Sequence, residues 1–410
     1  MINFEKSRIF TGKTIFVLLG LFLIISINLT ARDILRPEKI TLEQFAEEYL
    51  PDYSLKKRIP IDTRKINDFA VAKNTGNIVL TTMNKIYYLN IDGNLLWSKE
   101  LNKLPLDCFV SENGKIITLR TEKNLRNLNK TSIIMDNKQN ILFEKQMKLD
   151  QIVPSPNGKY FTYAISNAVK TPESRKGIKI MNRNGDYLNI TSADINITQF
   201  EKDMEYIQLY FVTNKKIVMT ANKKGSSSTV LHLLKFSQDN ELSVLWKKEI
   251  ENKLDTFLYK CIKTCVDKIM INLRMNVHEG STCVFNFNGD ELLRSNEIFD
   301  KTFSNFAFID NENVFLHRTN YKPKIINLKT KNVEEKRATA LPRVDNILIS
   351  EDRYIFTESR ATSVINLNDW KTFEIITYGS KKIEIGDNKY FIFTQTVNNP
   401  ELVIYERNSK

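Results

Sequence analysis

Leu95-Leu96-Trp97-Ser98-Lys99-Glu100-Leu101 is the stretch on which the reading of this chain turns. It returns as Ile141-Leu142-Phe143-Glu144-Lys145-Gln146-Met147 and as Val244-Leu245-Trp246-Lys247-Lys248-Glu249-Ile250. A weaker copy is Leu292-Leu293-Arg294-Ser295-Asn296-Glu297-Ile298. Each copy follows a turn. In the first, Lys85 to Leu101 reads as a strand, an Asp92-Gly93 turn and a returning strand, the strongest short-range hairpin signal. A phrase that repeats at such spacing marks a repeat architecture before any local propensity is weighed.

Working outward, two kinds of hairpin tip alternate from about Leu55 onward. The first kind falls at Thr75-Gly76, Asn113-Gly114, Asn157-Gly158, Asn214-Lys215, Val266-Asp267, Asn311-Glu312, Glu351-Asp352 and Asp387-Asn388. The second falls at Asp92-Gly93, Gln139-Asn140, Asn184-Gly185, Asp239-Asn240, Gly289-Asp290, Lys329-Thr330 and Asn368-Asp369. Steps of about 36 to 57 residues match four strands per propeller blade. The spacing predicts an all-β, eight-bladed β-propeller over residues 55–410, with seven blades as the alternative. The last unit ends one strand short, and Leu55 to Ile61 is the segment expected to fill the gap by pairing near Leu402 to Tyr405. Such closure removes an exposed sheet edge.

Ahead of the repeats, Thr14 to Ala31 runs eighteen residues without a charge, behind a polar segment 1–13 that carries Lys6, Arg8 and Lys13. As a helix it would span about 27 Å, close to a bilayer's hydrocarbon core. It reads as a transmembrane signal-anchor or a cleavable signal peptide. Lys6, Arg8 and Lys13 before the span balance Arg32, Arg36 and Lys39 after it, and a short N-terminal flank usually stays cytoplasmic. The body is therefore expected outside the cytoplasm, periplasmic or extracellular. Residues 32–54 form a linker in which Leu42, Phe45, Ala46, Tyr49 and Leu50 fall on one helical face, opposite Glu43, Glu47 and Glu48. Thr41 to Gln44 offers a helix start and Pro51 a stop, and the helix is expected to pack on the propeller rim.

The chemistry is sparse. His232, His278 and His317 are the only histidines, and none has a second ligand at metal spacing. His232 is expected on a strand with a satisfied ring nitrogen, and His317 beside Arg318 is the least implausible catalytic pair. No nucleophile elbow, phosphate loop or dinucleotide fingerprint is present. Cys108, Cys261, Cys265 and Cys283 are too few for a disulfide scaffold, which leaves buried thiols or a single bridge from Cys283 to Cys261 or Cys265. The net charge of +12 goes with lysines in scattered pairs and without a nucleic-acid motif, so no nucleic acid is expected. No cofactor and no metal is expected either.

Tyr88-Leu89-Asn90-Ile91-Asp92-Gly93-Asn94-Leu95-Leu96-Trp97 resembles the repeat of the PQQ-like, or quinoprotein-like, propellers, where a Gly-containing turn precedes a blade tryptophan. Ser155-Pro156-Asn157-Gly158-Lys159-Tyr160-Phe161 looks like the motif of WD40-like and TolB-like propellers. The quinoprotein pattern is degraded, with Phe143 and Arg294 where tryptophan would stand, and no vicinal cysteine pair occurs. Trp97 and Trp246 are therefore expected to wedge between neighbouring blades. The resemblance also carries an alternative function, a propeller enzyme or quinone-binding oxidoreductase-like protein.

The longest polar insertions are Ser166 to Gly177, with Lys170, Arg175 and Lys176, and Asn222 to Thr229, with Lys223 and Lys224. Both join the two hairpins of a unit, so both are expected on one face, where propellers take partners. These five residues are the candidate partner-binding set. The function expected is a membrane-anchored, non-catalytic platform, with an envelope protein or an anionic glycan as partner. Asn129, Asn189 and Asn196 stand in glycosylation sequons that matter only in a eukaryotic secretory setting.

Overall fold

The computed structural model describes residues 38–61, 66–122, 129–148, 150–165, 177–226, 228–251, 259–274, 280–295, 305–317, 322–336, 346–350, 354–358, 362–375, 383–386, 390–395 and 400–408. The apolar span at 14–31 lies outside them. Among the described residues no helix is long and apolar enough to cross a membrane.

Among the described residues, short alternating segments between turns assemble into eight sheets. The first is Ile66–Val71, Ile78–Thr82, Lys85–Leu89 and Leu95–Glu100, each strand antiparallel to the one before. The second (Leu104–Val110, Ile116–Glu122, Asn129–Asp136, Ile141–Lys148) and the fourth (Met204–Phe211, Lys216–Lys223, Ser228–Phe236, Leu242–Glu251) repeat that meander. So do the fifth (Tyr259–Cys265, Lys268–Arg274, Gly280–Asn286, Glu291–Arg294) and sixth (Asn305–Phe308, Asn313–His317, Lys324–Asn327, Val333–Glu335). The third has three strands, Asp150–Pro154, Phe161–Ile165 and the two-residue Ile180–Met181. In the seventh, Asn346–Ser350, Tyr354–Glu358, Thr362–Asn366 and Thr372–Ile375 gain a fifth strand, Glu38–Ile40, parallel to the last.

The eighth sheet draws Ile383–Gly386, Tyr390–Gln395 and Glu401–Arg407 from the C-terminal part and its outer strand, Tyr53–Pro60, from the other end of the chain. Leu55 lies opposite Tyr405 and Ile59 opposite Leu402, the closure the sequence predicts. A bulge at Lys56 lets that strand reach the next sheet: Lys56 Nζ sits 2.9 Å from both Asp92 and Glu406, and Lys57 Nζ donates to Asn94 Oδ1 at 2.8 Å. Burial pulls the Lys56 ammonium down, but the bonds to Asp92 and Glu406 outweigh it and hold its pKa at about 12.

The core is a succession of apolar layers, each shared by two consecutive sheets. Tyr88 and Trp97 of the first meet Leu119 and Ile133 of the second, Leu231 and Trp246 of the fourth meet Ile271 and Phe285 of the fifth, and Ile392 and Ile404 of the eighth meet Phe69 and Leu80 of the first. First-kind turns are tied across sheets as well: Asn74 N donates to Glu112 O and Glu112 N to Pro156 O, at 2.8 and 2.9 Å.

The recurring phrase is a β-bulge. Leu96, Leu142, Leu245 and Leu292 are the extra residues, and the side chain after each is thrown onto the neighbouring sheet. Trp97 Nε1 donates to Asn137 O of the next turn at 2.8 Å, and Trp246 covers Gly289. Phe143 covers Gly185, whose φ of +83° and ring contact exclude any Cβ. Both tryptophans thus wedge between sheets as expected. The bulge corrects the alignment of the weak fourth copy: Leu293, 2% exposed, holds the tryptophan position, while Arg294 turns back to fork onto Glu291 at 2.6 and 2.8 Å.

A helix, Leu42–Tyr49, precedes the closing strand. Thr41 Oγ1 accepts from Gln44 N at 3.1 Å and Gln44 Oε1 accepts from Thr41 N at 2.9 Å, a complete capping box. Leu42, Phe45 and Ala46 are buried in a layer with Phe373 of the seventh sheet and Phe391 and Val403 of the eighth, which is the rim packing expected. Arg58 of the closing strand joins the helix to the sheet through Glu43 and, at 3.1 Å, Glu401. Cys108 and Cys283 are buried, and neither they nor Cys265 enters a disulfide, so the bridge from Cys283 is not formed; the Cys261 side chain lies outside what is described.

Candidate functional site

The repeat breaks at one place, the outer edge of the third sheet. After Ile180–Met181 the chain turns at Gly185 and offers only a single bridge, Met181 to Tyr187, before leaving. Leu188 N donates to Ile180 O at 2.9 Å. Farther along the edge, Ile178 N meets no strand and instead donates to the Glu201 carboxylate at 2.8 Å. A side chain thus replaces a ladder bond that an edge would otherwise leave open.

From Leu188 the chain crosses to the fourth sheet. Thr191 bridges Glu241 in parallel, Leu242 N donates to Thr191 O at 2.8 Å, and Asp194 Oδ2 accepts from Val244 N at 2.7 Å. A second helix, Ile197–Asp203, begins where Asn196 Oδ1 accepts from Gln199 N at 3.0 Å. This helix has no buried residue, and Ile197 and Phe200 are half-buried over the fourth sheet.

Lys223 and Lys224, two of the candidate partner-binding residues, stand at this same edge. Lys224 closes the helix: its N–H donates to Asp203 O at 2.9 Å, and its ammonium reaches Lys202 O and, at 3.4 Å, Glu201 O. A cation at a helix C-terminus complements the dipole. Lys223 is 3.7 Å from Glu249. Lys170, Arg175 and Lys176 lie outside the described residues, in the connection between Phe161–Ile165 and Ile180–Met181; Lys223 and Lys224 open the corresponding connection of the fourth sheet.

Under the helix lies His232. It is on a strand as expected, it is 3% exposed, and its Nδ1 has no hydrogen-bond partner. Phe200 stands edge-on to it, centroids 5.6 Å apart. Burial first, and the positive charge of Lys247 second, push its pKa down to about 4. An imidazole so weakly basic is a poor general base at neutral pH. The side chain of His317 and all of His278 and Arg318 lie outside the described residues. Among the described residues no group of three or more His, Cys, Asp and Glu converges to hold a metal.

On the outward side of the same edge, Tyr187 is half-exposed between two ammonium groups, Lys145 of the second sheet at 5.8 Å and Lys179 at 5.4 Å from its ring centroid. Among the described residues neither lysine is in an ion pair. Sequence reasoning passed over this cluster and the second helix; the residual signal was Asn196 ahead of Ile197 and Phe200, too short a periodicity to stand out. Of the sequons, Asn189 and Asn196 are exposed on this crossing segment, and Asn129 begins a strand.

No family model matches the chain, and no curated protein matches its sequence. Solved structures do match its shape. The eukaryotic initiation factor is 10% identical, with a TM-score of 0.53 over 88% of this chain and 90% of that one. The C-terminal WD40 domain of Sif2 is 9% identical, with a TM-score of 0.50 over 86% and 98%. The computationally designed Ika8 protein is 11% identical, with a TM-score of 0.52 over 85% and 98%. At such identities the likeness concerns the fold, a WD40-like β-propeller.

Proposed function

We propose that the chain is an eight-bladed propeller acting as a non-catalytic interaction platform, held at a membrane by residues 14–31 with its body outside the cytoplasm. Its partner is an envelope protein or an anionic glycan. The observation that carries the reading is the broken third sheet: among the described residues seven sheets complete their outer edge with a strand, and this one leaves it to a crossing segment beside Lys224. Eight sheets, with the eighth packed on the first, support eight blades over seven. The likeness to a WD40 domain supports a platform, because propellers offer loops on a rigid disc for recognition. The quinoprotein resemblance enters only as the turn-plus-aromatic repeat.

In-cell crosslinking of the tagged protein, followed by mass spectrometry, tests this against a variant with Lys170→Gln, Arg175→Gln and Lys176→Gln. A stable partner lost in the variant supports the platform and its edge. Absence of any partner, together with a stoichiometric quinone or metal in the purified protein, overturns it. Protease added to intact spheroplasts should remove the body; complete protection overturns the location.

A further inference from the structure

We infer that the outer edge of the third sheet is a docking site for an extended, acidic segment of a partner protein, added as the missing strand once the Ile197–Asp203 helix lifts away. The inference rests on the platform reading and names what that platform takes. Three independent observations carry it.

The edge itself is provisional. Ile180 O is paired by one backbone donor from Leu188 and Ile178 N by a side-chain carboxylate from Glu201, where the complete sheets have ladder bonds. A backbone carbonyl of an incoming strand is the natural replacement for that carboxylate. Its cover is also lightly fastened. The helix buries no side chain, and its attachments are Glu201, the Lys224 cap and the half-buried Ile197 and Phe200. Lifting it exchanges polar contacts and uncovers Ile197, Phe200 and the ring of His232, less apolar area than removing a helix with buried side chains.

The charge beside the edge selects the occupant. Lys145 and Lys179 flank Tyr187, the residue that bridges Met181, with no carboxylate opposite either of them among the described residues. Two ammonium groups around one ring repel each other, and an anion between them relieves that repulsion. Removing Glu201 with the helix takes a further negative charge from the edge. A strand with acidic side chains on one face meets both demands, backbone pairing along Ile178 to Met181 in place of Glu201 and of the Tyr187-Leu188 segment, and carboxylates toward the two lysines.

The experiment uses the full chain and a fluorescent peptide of about ten residues alternating Val and Glu, read by anisotropy. The wild type should bind it weakly, Glu201→Ala about tenfold more tightly, and Lys145→Glu with Lys179→Glu about tenfold less tightly. The same peptide N-methylated at alternate residues should lose binding, because methylation removes the ladder donors. Hydrogen exchange at Leu188 N should rise on binding while the amides of Phe161–Ile165 hold. Equal binding of the methylated peptide overturns strand addition, as does an unchanged affinity in Glu201→Ala with the fold intact by circular dichroism. Should Glu201→Ala fail to fold, the lysine variant and the methylated peptide decide alone. A crosslinked partner lost with Lys170, Arg175 and Lys176 but no peptide binding leaves the platform standing and removes this inference.

Discussion

The molecule covers two seams with a short helix, and the two covers are built differently. Leu42–Tyr49 lies over the seam of the seventh and eighth sheets with Leu42, Phe45 and Ala46 buried and a capping box at its start. Ile197–Asp203 lies over the third and fourth with no buried residue, a single Asn196 cap and a lysine from another strand closing its end. Apolar burial makes the first helix part of the core. Polar contacts, which exchange readily with water, make the second a cover.

The largest effect should come from deleting residues 401–410. The deletion takes away the strand that pairs Tyr53–Pro60 and the layer under the first helix together, so denaturant unfolding should lose its cooperative transition. Excising residues 224–226 between Lys216–Lys223 and Ser228–Phe236 should be far milder; equal loss in both would dissolve the contrast between the seams. Next, Phe45→Ala should cost about 3–5 kcal/mol of stability in urea melts. A cost under about 1 kcal/mol would mean that the first helix, too, is only a cover.

His232 tests the other seam through pH. Its folded pKa near 4 lies below the ordinary 6.5, so the unfolded chain binds the extra proton first as pH falls. Stability should therefore be complete above about pH 6.5 and fall by about 3 kcal/mol toward pH 4 on this residue's account. His232→Phe should flatten that window; an unchanged slope would place the acid sensitivity elsewhere. The smallest effect belongs to Phe200→Ala, about 1 kcal/mol, because the ring is only half-buried. A loss like that of Phe45→Ala would make the two helices equivalents.

The contrast also marks what was legible in the sequence. Period-two strands and Gly, Asn and Asp turns placed the hairpins, and the i, i+3, i+4 stripe with Thr41 and Gln44 placed the first helix, because burial writes apolar residues at fixed intervals. The closing strand was legible from a count of strands. Polar attachment writes no such period, so the second helix, the Glu201 bond to Ile178 and the Lys224 cap did not stand out. The bulge was hidden for a different reason: it shifts register by one residue, and Leu293 rather than Arg294 takes the aromatic position only once pairing is known. Residues Lys170, Arg175 and Lys176 fall outside the described residues, so their part in the edge rests with the crosslinking experiment.

The pairing of Tyr53–Pro60 with Glu401–Arg407 also fixes a schedule for synthesis. About 340 residues must follow Tyr53–Pro60 out of the ribosome before its partner exists, roughly 20–70 s at about 5–20 residues per second. During that interval the strand is an open template beside a growing series of similar strands, any of which it could join in error. Lys56, Lys57 and Arg58 give it three consecutive positive charges. In the finished molecule they hold Asp92, Asn94 and Glu401; in the nascent chain the same charges keep the waiting strand solvated and unattractive to the wrong neighbour.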